Sequence, residues 1–252
     1  MHLPWLDEQT PFPSVTQALG PDSEAPGLLA AGGGLAVARL VAAYRRGIFP
    51  WYGEHQPVLW WSPDPRMVLK TAQFRFHRSL RKAVQQFLAR PGSALRFDHD
   101  FPAVIQACAD MPRAGQQGTW IVPEMVQAYV RLHRAGVAHS VEVWEGDELS
   151  GGLYGLLIGR MFYGESMFAR RTDASKIALA ALVGYCRSVG IEMIDCQQHT
   201  GHLASLGAAT LPRADFEQHL RSCVDAPTPG WAYDPAQWTT LGLTPAPDAP
   251  PS

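Results

Sequence analysis

Asp195-Cys196-Gln197 closes a short apolar run, Ile191-Glu192-Met193-Ile194, that reads as a buried strand. Side chains alternate along a strand, so Asp195 and Gln197 share one face while Cys196 points to the other. An aspartate beside an amide can fix that amide's orientation. The glutamine oxygen would then accept a hydrogen bond from an incoming amine. The alternative is that Asp195 caps the following turn. Gly164-Glu165-Ser166-Met167-Phe168 sets one carboxylate between a glycine and two apolar residues. Glu165 either pairs with Arg170, Arg171 or Lys176, or receives a cationic group of a substrate. No Ser-His or Cys-His arrangement for nucleophilic catalysis stands out.

Other groups could bind rather than react. Trp51, Trp60, Trp61 and Trp120 lie in poorly periodic segments. They either offer flat faces to unstacked bases or plug a seam between subdomains. Arg78, Arg81 and Lys82 fall on one helix face, with Arg75 and His77 just before them. They either grip phosphates or form a solvated face. His199 and His202 are three apart with no third ligand near, so no metal site is expected. His139 belongs in or beside a sheet. Gly151-Gly152, inside a strand-like run, marks a bulge or a close backbone approach.

Composition sets the limits. The 252 residues are 46% hydrophobic and 17% charged, which suits a globular chain with a sizeable core. No run of 18 apolar residues suggests a membrane span, and the start has neither the basic nor the apolar stretch of a signal peptide. Cys108, Cys186, Cys196 and Cys223 are far apart with no C-x-x-C pair. That argues against a disulfide framework or zinc site and fits a reducing, cytoplasmic setting. The formal net charge of -2 means that any RNA site must rest on a local patch.

The elements that must position these residues read as follows. Residues 1–34 form a Pro/Gly-rich arm ending in Gly32-Gly33-Gly34. Leu35 to Arg46 has helical spacing with Gly47 as its stop. Short strands at 58–62 and 67–70 flank the turn Pro63-Asp64-Pro65. A helix runs from Arg78 to Arg90. Asp100 caps another through Ala109, and Pro123 opens a third that reaches Arg134. Runs at 139–144, 149–158 and 160–164 form an antiparallel meander. Asp173 caps a long helix from Ala174 to Val189, and strand 191–196 then lies beside the meander. A helix at 213–223 and an irregular Pro-rich tail complete the chain. This α+β order resembles the acetyltransferase-type (GNAT) fold.

The strings themselves resemble the leucyl/phenylalanyl-tRNA–protein transferases. They include Gly27-Leu28-Leu29-Ala30, Ala43-Tyr44-Arg45-Arg46-Gly47-Ile48-Phe49-Pro50-Trp51 and Trp60-Trp61-Ser62-Pro63-Asp64-Pro65-Arg66. They also include Thr119-Trp120-Ile121, Ala138-His139-Ser140-Val141-Glu142-Val143-Trp144 and Gly151-Gly152-Leu153-Tyr154-Gly155. Gly164-Glu165-Ser166-Met167-Phe168, Ala174-Ser175-Lys176 and Ile194-Asp195-Cys196-Gln197 complete the set, from about residue 12 to 220. The family usually carries aspartate and serine where this chain has Gly34 and Ala36, and asparagine where it has Asp173. Ala36 weakens a helix cap, while Gly34 can retain one.

The resemblance implies a small N-terminal domain (1–66), a GNAT-like catalytic domain (67–235) and a tail (236–252). It implies transfer of Leu or Phe, with Met a further candidate, from aminoacyl-tRNA to proteins beginning with Arg or Lys. Those proteins are thereby marked for N-end rule degradation. No cofactor, metal or membrane is implied, and a monomer suffices. Asp195 and Gln197 would orient the attacking amine and Glu165 would meet the acceptor's cationic end, for which Arg offers a two-pronged fork. Leu153, Phe162, Met167 and Ile194 would form the donor side-chain pocket. Trp51 and Trp120 would stack on the terminal adenosine, and Arg78, Arg81 and Lys82 would contact phosphates. The rival activities are a CoA-dependent N-acetyltransferase, a non-catalytic RNA-binding module and an aminoacyl-tRNA transferase with a peptidoglycan acceptor. The nearest string to a CoA loop, Arg187-Ser188-Val189-Gly190-Ile191-Glu192, places a carboxylate where a small residue is needed.

Overall fold

The structure, a computed structural model, describes residues 3–111 and 121–244. Strands β1 (Trp5–Leu6) and β2 (Leu28–Gly32), helix α1 (Val37–Tyr44), and strands β3 (Phe49–Pro50) and β4 (Leu59–Trp61) form the first unit of structure. Its sheet has the order β1-β2-β4-β3. The chain continues through β5 (Arg66–Lys70), α2 (Arg78–Leu88), β6 (Ser93–Phe97), α3 (Phe101–Asp110) and α4 (Pro123–Arg134). Then come β7 (Ala138–Glu145), β8 (Glu148–Ile158), β9 (Met161–Ala169), α5 (Ala174–Ser188) and β10 (Met193–Gln197). Last are α6 (Gly201–Ser205), β11 (Ala209–Leu211), α7 (Arg213–Cys223) and a 3-10 helix at Pro235–Leu241. The second sheet has seven strands in the order β11-β5-β10-β9-β8-β7-β6. No helix among the described residues is long and apolar enough to cross a membrane.

The expected meander is present: β7, β8 and β9 pair antiparallel. β10 then returns parallel to β9 after α5. The two faces of this sheet bury separate apolar clusters. One contains Leu153, Leu157, Phe162 and Ile194 under α5 and α2. The other contains Tyr154, Leu156 and Tyr163 and runs on without a break into Leu40, Tyr44, Phe49 and Trp60 of the first unit. At Gly151 a Cβ would come within 2.5 Å of the Ala174 Cβ, so the missing side chain lets α5 start directly on the sheet.

Caps explain several boundaries and correct two expectations. The Asp100 carboxylate accepts from the Ala103 N–H at 3.1 Å, as the sequence suggests. Asp173 does not cap α5: its φ is 64° and its carboxylate makes no cap bond. It instead accepts from Lys176 Nζ at 2.8 Å. The tail is not irregular throughout. Residues 235–241 form a turn capped by Asp234 and Gln237, with Trp238 buried. Ala36 sits at the N-cap of α1 in extended geometry and offers no side-chain acceptor, while Gly34 lies outside the cap position. Ala36→Ser is therefore expected to stabilise the fold by about 1 kcal/mol. An unchanged denaturation midpoint would show that water already serves those N–H groups.

Candidate active site

The site begins where a ladder stops. β9 and β10 are joined at only two positions, Ile194 with Phe162 and Asp195 with Tyr163. Beyond them β9 stays on β8 through Ala169. β10 bulges at Cys196 and stays on β5 through Gln197. The strands therefore diverge, and Glu165 and Gln197 are the first polar residues on either side of the gap.

A cavity of about 420 Å³ fills this gap. Leu153, Phe162, Met167 and Ile194 line it, joined by Leu179 and Leu182 from α5. Glu165, Asp195, Gln197 and Trp51 line it too. The structure thus gathers in one place the three polar residues, the four apolar residues and the tryptophan singled out from sequence. Trp51 meets Trp61 edge to face at 5.2 Å, and the Trp61 indole N–H donates to the Trp51 carbonyl at 2.6 Å. Trp60 is buried in the small unit, where its indole N–H donates to the Gly32 carbonyl. Trp120 lies outside the described residues.

The polar contacts differ from the sequence expectation. Gln197 Nε2 donates to Glu165 Oε1 at 2.8 Å, so Glu165, not Asp195, fixes the amide. The Asp195 carboxylate is buried and held in a two-pronged pair by Arg66, at 2.8 Å from Nε and 2.6 Å from Nη2. Asp195 also accepts the backbone N–H of Gln197 at 2.8 Å. That contact holds Gln197 at a φ of 61°, a conformation non-glycine residues seldom adopt. Arg66 lies between the rings of Phe49 and Phe216 and donates to the Gly47 carbonyl. The Asp195 carboxylate is therefore shared between Arg66 and the Gln197 backbone.

Glu165 carries none of the ion pairs that its neighbours Arg170, Arg171 or Lys176 could have supplied. Its partners are hydroxyls that the sequence reading missed. Tyr44 donates to Oε1 at 2.6 Å and Tyr129 to Oε2 at 3.0 Å, and the two hydroxyls touch each other. Burial pushes the Glu165 carboxyl up to about 7, while the bonds from Tyr44 and Tyr129 pull it down. Burial likewise holds both phenols well above their ordinary range, so they remain donors.

The basic cluster does not line the cavity. Arg78 and Lys82 are exposed on α2. Arg81 is committed to the chain's own carbonyls, those of Gly242 at 2.8 Å and Leu241 at 3.0 Å. His139 sits in β7 with Nδ1 2.6 Å from Asp98, a structural role. Among the described residues no group of three metal-binding side chains occurs. The string from Arg187 to Glu192 is not a phosphate loop. Arg187 donates to the carbonyls of Thr71 and Thr240, and it lies in the last turn of α5, the end that favours cations over anions.

Cys196 is the thiol that lines the cavity, and burial raises it well above its ordinary range, so it stays protonated. A chamber that sets fixed hydrogen-bonding groups beside an apolar wall suits a transferase that works by holding two substrates against each other. Comparison with known sequences makes this specific, and the chain belongs to the leucyl/phenylalanyl-tRNA protein transferase family. The family's main profile matches residues 68–221 and its N-terminal domain profile matches residues 33–64. The leucyl/phenylalanyl-tRNA–protein transferase of Leptothrix cholodnii is 64% identical over 95% of this chain and 95% of its own. The proteins of that name from a Polaromonas species and Burkholderia cenocepacia are 58% and 54% identical. They match 98% and 99% of this chain, and 97% and 98% of their own.

Proposed function

We propose that this chain transfers leucine or phenylalanine from a charged tRNA to the N-terminal arginine or lysine of an acceptor protein, marking it for N-end rule degradation. The observation that carries this reading is the Gln197–Glu165 bond spanning the gap beside an apolar chamber. In this reading residues 1–66 form a small N-terminal domain and 67–235 a GNAT-like domain whose diverging strands admit the reacting ends.

The reaction is aminolysis of an ester. The acceptor nitrogen bonds to the carbonyl carbon and gives up a proton. The bond to the ribose oxygen breaks, and that oxygen gains a proton. A carboxylate only accepts hydrogen bonds, so it must face the Gln197 NH2 and leave the amide oxygen to accept from the amine. An amide is too weak a base to keep the proton, so a water or a ribose hydroxyl takes it. Asp195 and Arg66 hold Gln197 in place. Leu153, Phe162, Met167 and Ile194 take the donor side chain, and Trp51 and Trp120 stack on the terminal adenosine.

Glu165 meets the acceptor's cation. Three donors already occupy it, which leaves about one of its four lone-pair positions. One N–H fits there, not a fork, so arginine and lysine should serve to similar extents.

The test is transfer of labelled amino acid from Leu-tRNA or Phe-tRNA to peptides that differ only in their first residue. Label on Arg and Lys peptides, and not on Ala or Glu peptides, is expected. Bound charged tRNA with no labelled peptide would discard the reading. With Arg81 committed elsewhere, phosphate contact falls to Arg78 and Lys82. Changing both to Ala should lower the salt slope of tRNA binding by about one per lost contact. An unchanged slope would place the RNA on another surface.

A further inference from the structure

The chamber's inner wall has a support behind it. Phe162 lines the chamber and is otherwise fully buried. Its ring lies on the bare backbone of Gly155, where a Cβ would come within 2.6 Å of two ring carbons. The same ring stacks on Trp231 at 5.6 Å with 11° between the planes. Trp231 is not among the residues that line the chamber.

Trp231 is partly buried, with aromatic rings from three further elements packed against it. His139 of β7 stacks on it at 4.8 Å, Phe97 of β6 lies at 4.9 Å and Tyr185 of α5 meets it edge on at 4.7 Å. The Tyr185 hydroxyl also donates to the carbonyl of Gly230, fixing the backbone just before the indole. The indole N–H is buried and reaches no acceptor among the described residues. An unmet buried donor is unfavourable, so the position uses the indole for its shape and not for its polar end.

We infer that Trp231 is a positioning residue that sets the depth of the donor chamber by holding Phe162 forward, and so biases the choice between leucine and phenylalanine. The inference rests on the proposed function. Phe162 cannot move toward Gly155, where backbone blocks it. Its free direction is the space that the indole fills. A smaller side chain at 231 opens that space, the ring retreats and the chamber deepens. The longer aromatic donor then gains on the branched one.

The experiment offers Leu-tRNA and Phe-tRNA at equal concentration in one reaction with an N-terminal Arg peptide, and reads both products. Their ratio reports the ratio of kcat/KM values, and any unfolded fraction cancels. A loss of structure alone would lower both products together. In Trp231→Leu the Phe-to-Leu ratio is expected to rise about tenfold over wild type. Trp231→Phe leaves a smaller void and should shift it about twofold to threefold in the same direction. If Trp231→Leu yields no folded protein, Trp231→Phe decides. Transfer that persists with an unmoved ratio overturns the inference alone. Wild-type protein that transfers neither amino acid overturns the proposed function and this inference with it.

Discussion

Arg66→Met is expected to destabilise the protein by about 3–5 kcal/mol. The side chains of Arg66 and Asp195 are 1% and 0% exposed and joined at 2.6 Å, so removing the cation strands a carboxylate where water cannot reach it. For a chain of this size the melting temperature should fall by roughly 6–20 °C. The loss measures the stranded charge, not the net worth of the pair. Changing both partners to apolar residues of similar volume, Arg66→Met with Asp195→Leu, should therefore recover most of the stability. It should not recover activity, because the Gln197 N–H loses its acceptor and the amide loses its fixed position. A loss below about 1 kcal/mol in the single variant would mean that the pair is not buried as described.

Glu165→Gln is expected to raise the acceptor's KM by about tenfold to a hundredfold, the loss of one charge-assisted hydrogen bond. The donor's KM should stay near wild type. An acceptor KM that does not move would remove Glu165 from acceptor recognition. The pH dependence follows from the carboxyl titrating at about 7 instead of its ordinary 4.5. Below 7 the folded protein holds a neutral acid, and the cation binds weakly. Binding of an N-terminal Arg peptide should therefore tighten as pH rises through 7, and Glu165→Gln should flatten that rise. Stability runs the other way. A carboxyl with a raised folded-state pKa contributes fully below about 4.5 and loses that contribution as pH climbs to about 7. Activity and stability should thus pull apart over that window, which calorimetry alongside peptide binding would reveal.

Much of the scaffold is legible locally, because caps and periodicity are local. Asp100, Pro123 and Gly136 mark helix ends, and the strand-like run over 149–158, closed by Gly159, marks β8. Of the short strands, the runs at 58–62 and 67–70 do emerge as β4 and β5, but β2 leaves no such signal. Leu28–Gly32 is leucine, alanine and glycine, and becomes a strand only because β4 offers it a ladder. β9 runs on to Ala169, past the expected end at 164, because β8 pairs with it to that point. At the site, residue types pointed to positions that the fold gathers around one cavity, but not to their hydrogen-bond partners. Arg66 is 129 residues from Asp195, and Tyr44 is 121 from Glu165. No local pattern carries pairings at that range. The bulge that puts Gln197 at positive φ also defeats the simple alternation between Asp195 and Gln197.

The apolar cluster that runs from the seven-stranded sheet into Leu40, Tyr44 and Phe49 bears on how this protein can change over generations. Tyr44 steadies Glu165, Phe49 flanks Arg66, and Trp51 walls the cavity. The first fifth of the chain is therefore not an appendage that recombination could swap for an unrelated module. A lineage that reshapes α1 or the stretch after it alters the hydrogen bonds at Glu165 in the same step. Drift in one part must be answered in the other, so the two parts inherit their changes as a pair.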